Sequence, residues 1–150
     1  MVAFSGTDPR NTTLKDAETI LGVGRILTMD GTTNKLEVSG ATDIAIGISA
    51  GESSRDPDHV FETASATVSY FPLGGVLMVQ SEASKTYTTG CLVYAKASGL
   101  CSPTVNSSKV LGIYVGEGQA TGSALLATAN SATLTEGELI PVMTAGAATA

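Results

Sequence analysis

The chain has 150 residues and a mass of 15.1 kDa, which fits one domain of ordinary size. Its net charge of −6 and its eight Lys and Arg residues exclude a basic face for nucleic acid or for an anionic membrane. A run of about 18 apolar residues, the length of a membrane-spanning helix, does not occur, and Met1–Ser5 lacks the features of a secretion signal.

The elements predicted in chain order are almost all short β-strands. Residues 1–13 are polar and without periodicity, which predicts an extended N-terminal arm, and residues 14–18 predict at most one helical turn. Asp30-Gly31 is a hairpin dipeptide between two strand patterns. Strands are predicted at residues 24–29, 35–39, 44–48, 61–71, 76–79, 91–94, 100–105, 110–115, 124–128 and 139–143.

Strands at spacings near ten residues, joined by Gly-rich turns, are typical of a small β-barrel or sandwich. The predicted fold is therefore all-β. Its β-barrel domain covers residues 14–143, between the arm at 1–13 and a short C-terminal tail at 144–150.

Two segments of the chain, residues 24–52 and 90–117, resemble each other. Each begins with Gly and an apolar strand, continues through a turn and a second strand, and ends in a strand with a central glycine, Gly47 or Gly112. This pattern predicts two related strand–turn–strand halves. A glycine inside a strand indicates a bulge, a bend or a close approach of another backbone.

The segment Gly90–Tyr94, followed by Ser98-Gly99 and by Val110–Ile113, resembles the small β-barrel decoration proteins of tailed-bacteriophage capsids. The resemblance implies a structural protein of the virion, with no enzymatic activity and no cofactor. Such a protein binds the outer surface of a mature head and stabilises it by bridging subunits of the major capsid protein. The resemblance also implies a homotrimer located on the virion after assembly in the host cytoplasm.

Members of that family commonly bind the shell through extended terminal arms. The N-terminal arm of this chain is therefore the expected partner-binding segment, with Phe4, Asp8 and Arg10 as its candidate contact residues. The alternative function is a carbohydrate- or receptor-binding β module of a phage fibre or surface array. Its sugar-binding face would consist of the aromatic side chains Tyr70, Phe71, Tyr87, Tyr94 and Tyr114.

Catalytic and metal-binding motifs are weak in this sequence. No Gly-x-Ser-x-Gly motif marks a nucleophile, and His59 is the only histidine, so no catalytic residue is predicted. Asp56, Asp58 and His59, with Glu52, are weak candidates for a divalent-cation site. The main interpretation of this charged loop is a solvated loop, and salt bridges to basic patches on a partner are a lesser alternative.

Cys91 and Cys101 lie on either side of a predicted turn. They fit two reduced, half-buried thiols, and they also fit a disulfide across two strands. The spacing leaves both possibilities open.

Overall fold

Ten β-strands and one short 3-10 turn form the described part of the chain. The computed structural model describes residues 10–15, 20, 22–51, 67–105, 108–116 and 137–144. The strands form two five-stranded antiparallel sheets. The all-β class predicted from the spacing of strands and turns is therefore confirmed.

The first sheet contains the first five strands of the chain, in the order β1-β5-β4-β2-β3. Its strands are β1 (Arg10–Thr13), β2 (Ile26–Met29), β3 (Leu36–Val38), β4 (Gly47–Ser49) and β5 (Thr67–Pro72). The second sheet contains the last five, in the order β6-β10-β9-β7-β8. Its strands are β6 (Gly75–Gln80), β7 (Leu92–Ala95), β8 (Cys101–Ser102), β9 (Val110–Tyr114) and β10 (Leu139–Thr144).

The two sheets have the same strand order: adding five to each strand number of the first sheet gives the order of the second sheet. The pairing registers also correspond. Ile48 of β4 lies opposite Phe71 of β5, and Ile113 of β9 lies opposite Met143 of β10. The segments 24–52 and 90–117, which resemble each other in sequence, contain β2 to β4 and β7 to β9. The molecule therefore consists of two halves with the same strand order and register.

Each sheet curls until its two edges meet at one bridge, the β1 edge with the β3 edge in the first sheet and the β6 edge with the β8 edge in the second. Leu14, directly after β1, bridges Leu36 of β3, and Ser81, directly after β6, bridges Cys101 of β8. Backbone hydrogen bonds of 2.7 Å from Lys15 N to Leu36 O and of 2.9 Å from Glu82 N to Cys101 O hold these contacts. Both halves are thus barrel-like.

The hydrophobic core has two parts. One lies within the first half and is formed by Leu14, Ile20, Leu27, Leu36 and Val68. The larger part joins apolar side chains of the first sheet to the interior of the second sheet: Ile26, Ala45, Ile48, Phe71, Leu77, Val79, Tyr87, Val93, Ala95, Cys101, Leu111, Tyr114, Ile140 and Val142. The two halves therefore share a core.

Backbone hydrogen bonds also connect the halves. Gln80 N donates to Gly24 O at 2.8 Å, and Gly99 N donates to Ser39 O at 2.9 Å. These bonds satisfy polar groups that would otherwise be buried unpaired between the sheets.

Several predicted segments extend beyond the described residues. Arg10–Thr13, the end of the predicted arm, form β1, and residues 1–9 are outside the described part. Thr144 is the last residue of β10, and residues 145–150 of the predicted tail are outside it. The strand predicted at residues 124–128 and residues 16–18 of the predicted helical turn are outside it as well.

Candidate interaction surface

Four apolar side chains form a row across the outer side of the second sheet. Leu92 lies opposite Ile113, Ile113 opposite Met143, and Met143 opposite Val76. Leu92, Ile113 and Met143 are 46%, 40% and 50% exposed, and Val76 is half-buried. Because strands lie about 4.8 Å apart, this open row of four side chains extends for about 14 Å. Contiguous exposed apolar side chains are one feature of protein-contact surfaces.

The second sheet carries no charge. Its five described strands contain no Asp, Glu, Lys or Arg, whereas the first sheet includes Arg10 and Glu37. The open row is therefore free of the charged side chains that are depleted at the centre of protein interfaces. The four side chains of the row expose apolar surface to water and carry no charge themselves.

The row exists because β9 and β10 carry apolar side chains on both of their sides. In β10, Ile140 and Val142 point to the core, while Met143, next in sequence, is half exposed. In β9, Tyr114 is buried beside the exposed Ile113. Strands that cover a core on one side only alternate apolar and polar residues. The missing alternation in Leu139–Met143 and Val110–Tyr114 was the signal by which the sequence indicated this surface, and the prediction of site residues overlooked it.

Of the residues predicted to bind a partner, Arg10 alone belongs to the described part. It is exposed and lies in β1 opposite Tyr70. Phe4 and Asp8 are outside the described residues. So are Glu52, Asp56, Asp58 and His59, the weak candidates for a cation site. Within the ranges that the structure describes, no group of three or more His, Cys, Asp or Glu residues is arranged to hold a metal ion.

The two cysteines are not bonded to each other. Cys101 is fully buried and lies opposite Ala95, four residues along the strand from Cys91. Burial raises the pKa of the Cys101 thiol to about 12, so the thiol stays protonated at neutral pH. Cys101 is therefore a core side chain and not an activated nucleophile.

The five aromatic residues considered for sugar binding do not form an exposed face. Tyr87 and Tyr114 are buried, with ring centroids 5.4 Å apart, and Phe71 is buried too. The Tyr87 hydroxyl lies 2.7 Å from Ser81 Oγ and donates to Cys101 O at 3.2 Å. Burial raises the pKa of Tyr87. The remaining two, Tyr70 and Tyr94, are half-buried.

A small charged cluster lies where β1 meets β3. Lys15 Nζ is 2.8 Å from Glu37 Oε2 and 3.7 Å from Asp30 Oδ1. Asp30 Oδ2 accepts hydrogen bonds from the Thr33 hydroxyl at 2.5 Å and from the Thr33 amide at 3.1 Å. The bond from the Thr33 hydroxyl is the main cause of the lowered pKa of Asp30, and the bond to Glu37 is the main cause of the raised pKa of Lys15.

No protein-family model matches this chain, and no curated protein matches it in sequence. Among the described residues, no helix has the length and apolar character needed to cross a membrane. The described residues define the class of protein only by fold: an all-β protein of two five-stranded sheets with the same strand order, with an exposed apolar row on the second sheet.

Proposed function

We propose that this chain is a capsid decoration protein, which binds the outer surface of a mature phage head and stabilises it by bridging subunits of the major capsid protein. The observation that carries the proposal is the open row on an uncharged sheet, a surface suited to protein contact. The sequence resemblance described above supplies the identity of the assembly. A homotrimer on the virion surface remains the expected arrangement.

The proposed mechanism is non-covalent. A protein that binds the assembled shell, and not the dissociated subunits, shifts the equilibrium toward the assembled shell by mass action. Copies that are linked to one another gain effective concentration at neighbouring sites. We assign the contact with the shell to the open row and, as the resemblance implies, to the N-terminal segment with Phe4, Asp8 and Arg10.

The test uses heads of the phage that encodes the chain, prepared without the gene for it. Purified protein is added to mature heads and to unexpanded heads, and bound protein is measured by sedimentation. We expect saturable binding to mature heads and DNA release at a higher temperature. Binding to neither form under any ionic condition would contradict the proposal, and binding to glycans instead would favour the carbohydrate-binding alternative.

Two variants of equal charge change test the assigned segment. Arg10→Ala removes an exposed cation of β1, and Lys35→Ala removes one cation from the β2–β3 turn. We expect Arg10→Ala to weaken head binding and Lys35→Ala to leave it unchanged. Equal binding by both variants would remove Arg10 from the contact.

A further inference from the structure

Lys96 is a buried cation at one end of the second sheet. It is the first residue after β7, and it is 9% exposed. Its Nζ donates a hydrogen bond to Ser108 Oγ at 2.9 Å. Within the described part of the chain, ion pairs form at Lys15 and at Lys85 and not at Lys96. The charge of Lys96 is therefore largely removed from water, and the acceptor that it meets is a neutral hydroxyl.

This ammonium group can bind more than it does. It has three N–H donors, and Ser108 accepts from one of them. Burying a charge costs free energy unless an opposite charge and further hydrogen bonds compensate for it. The chain has 14 Asp and Glu residues against 8 Lys and Arg residues, yet no described carboxylate pairs with Lys96. The position therefore favours the binding of a carboxylate.

Lys96 lies on the same side of the sheet as the open row. Side chains alternate along a strand, and Val93 and Ala95 of β7 lie in the core. The backbone of Lys96 is still extended, with φ of −127° and ψ of 176°, so Leu92, Tyr94 and Lys96 all lie on the outer side. Four residues of extended chain place Lys96 about 13 Å from Leu92. The uncharged outer side thus ends at a cation.

We infer that Lys96 and the open row together bind a protein segment in which a carboxylate lies about 13 Å from an apolar side chain. The apolar part covers Leu92 and Ile113, and the carboxylate accepts hydrogen bonds from the donors of Lys96 that Ser108 does not use. Because folding has already removed Lys96 from water, this pair costs less desolvation than one at an exposed lysine. That the segment belongs to the major capsid protein rests on the proposed function, whereas the chemistry of the site does not.

Decanoate, a carboxylate on an unbranched apolar chain, tests the site on the isolated protein. In an NMR titration, the side-chain signals of Lys96 and of Leu92 should shift with the same saturation curve. Lys96→Met should weaken decanoate binding by about 5-fold or more, because a hydrogen bond between charged groups is lost. Lys35→Met is the matched control, because it removes one charge from the β2–β3 turn, and it should bind decanoate as the natural chain does.

Decyl maltoside, which has an apolar chain and an uncharged head, separates the cation from the row. The natural chain and Lys96→Met should bind it equally. Equal binding of decanoate by these two proteins, or Lys96 signals that do not shift, would overturn the inference. Circular dichroism shows whether the variants fold, and if Lys96→Met does not, the Lys96 signals of the natural chain decide the question.

Head binding tests whether the segment belongs to the shell. We expect Lys96→Met to bind mature heads about 10-fold or more weakly than the natural chain, and Lys35→Met to bind them equally well. Equal head binding by both variants would overturn the carboxylate contact with the shell and leave decoration intact. If the natural chain does not bind heads, the proposed function fails, and the decanoate titration still decides whether the site exists.

Discussion

At the scale of single residues, the central glycines of the two similar segments allow strands to approach closely. A Cβ at Gly47 would lie 2.7 Å from Phe71 O, and a Cβ at Gly112 would overlap Met143 O. The positions correspond, because Gly47 pairs with Leu27 and Gly112 with Val93 in the same register. Of the roles expected for a strand glycine, close backbone approach is thus the one that both positions share.

Gly112→Ala is expected to destabilise the protein by about 1–3 kcal/mol, because β10 must shift to accommodate the added methyl group. Gly31→Ala is the control, since a Cβ there meets no atom within 4 Å and the effect should stay within about 0.5 kcal/mol. The measurement is urea-induced unfolding of both variants. Equal stabilities would show that β9 and β10 tolerate a wider separation.

At the scale of elements, the β2–β3 turn is stabilised by its own first residue. Asp30 accepts the hydroxyl and amide hydrogen bonds of Thr33, and its carboxylate faces Lys15 at the end of β1. Asn34 completes the turn in the left-handed conformation, with φ of 55°. The turn thereby connects the β2–β3 hairpin to the point where the first sheet closes.

Because Asp30 of this turn is hydrogen-bonded in the folded protein, we expect the stability of the protein to depend on pH. The pKa of Asp30 is lower in the folded protein than its ordinary value of 3.8, so the unfolded chain takes up the proton more readily. The carboxylate therefore contributes stability above pH 3.8, which is lost as the pH falls through the folded pKa. We expect Thr33→Ala to be less stable at pH 6 and to lose less stability on acidification than the natural chain.

The control for this prediction is Thr32→Ala, which keeps the Thr33 hydroxyl in place. Between pH 6 and pH 2, the thermal unfolding midpoint of Thr32→Ala should change with pH in the same way as that of the natural chain. NMR titration should place the pKa of Asp30 higher in Thr33→Ala than in the natural chain. An unchanged pKa would mean that this hydroxyl does not stabilise the carboxylate.

At the scale of the whole molecule, the two halves have the same order and register but different surroundings. The first sheet buries Ile48 in the core that it shares with the second half, while Ile113 at the equivalent position is exposed. The same substitution made at Ile48 and at Ile113 therefore measures what the contact between the halves contributes to the free energy of unfolding.

Ile48→Ala is expected to destabilise the protein by about 2–5 kcal/mol, through lost burial and a cavity between the halves. Ile113→Ala should change stability by no more than about 0.5 kcal/mol at concentrations where each variant is monomeric. Both are measured by chemical denaturation. Similar losses for the two variants would contradict the different burial of these equivalent positions.

Much of the fold was predictable from local pattern. Strand-forming runs, the Asp30-Gly31 turn and the in-strand glycines act through neighbouring residues, so their effect is visible in the sequence. The candidate partner-binding residues were not predicted in the same way. Phe4, Asp8 and Arg10 followed from a family resemblance, whereas the open row consists of Val76, Leu92, Ile113 and Met143, which are brought together from four strands.

The sequence by itself determined the β class, the turns and the similarity of the two halves, because these depend on residue types at short spacing. Only the tertiary structure decided which half leaves its apolar row open. Ile46-Gly47-Ile48 and Leu111-Gly112-Ile113 have the same local pattern, but Ile48 is buried and Ile113 is exposed. The difference arises because the second half packs on the first sheet, and burial is a property of what lies across from a side chain.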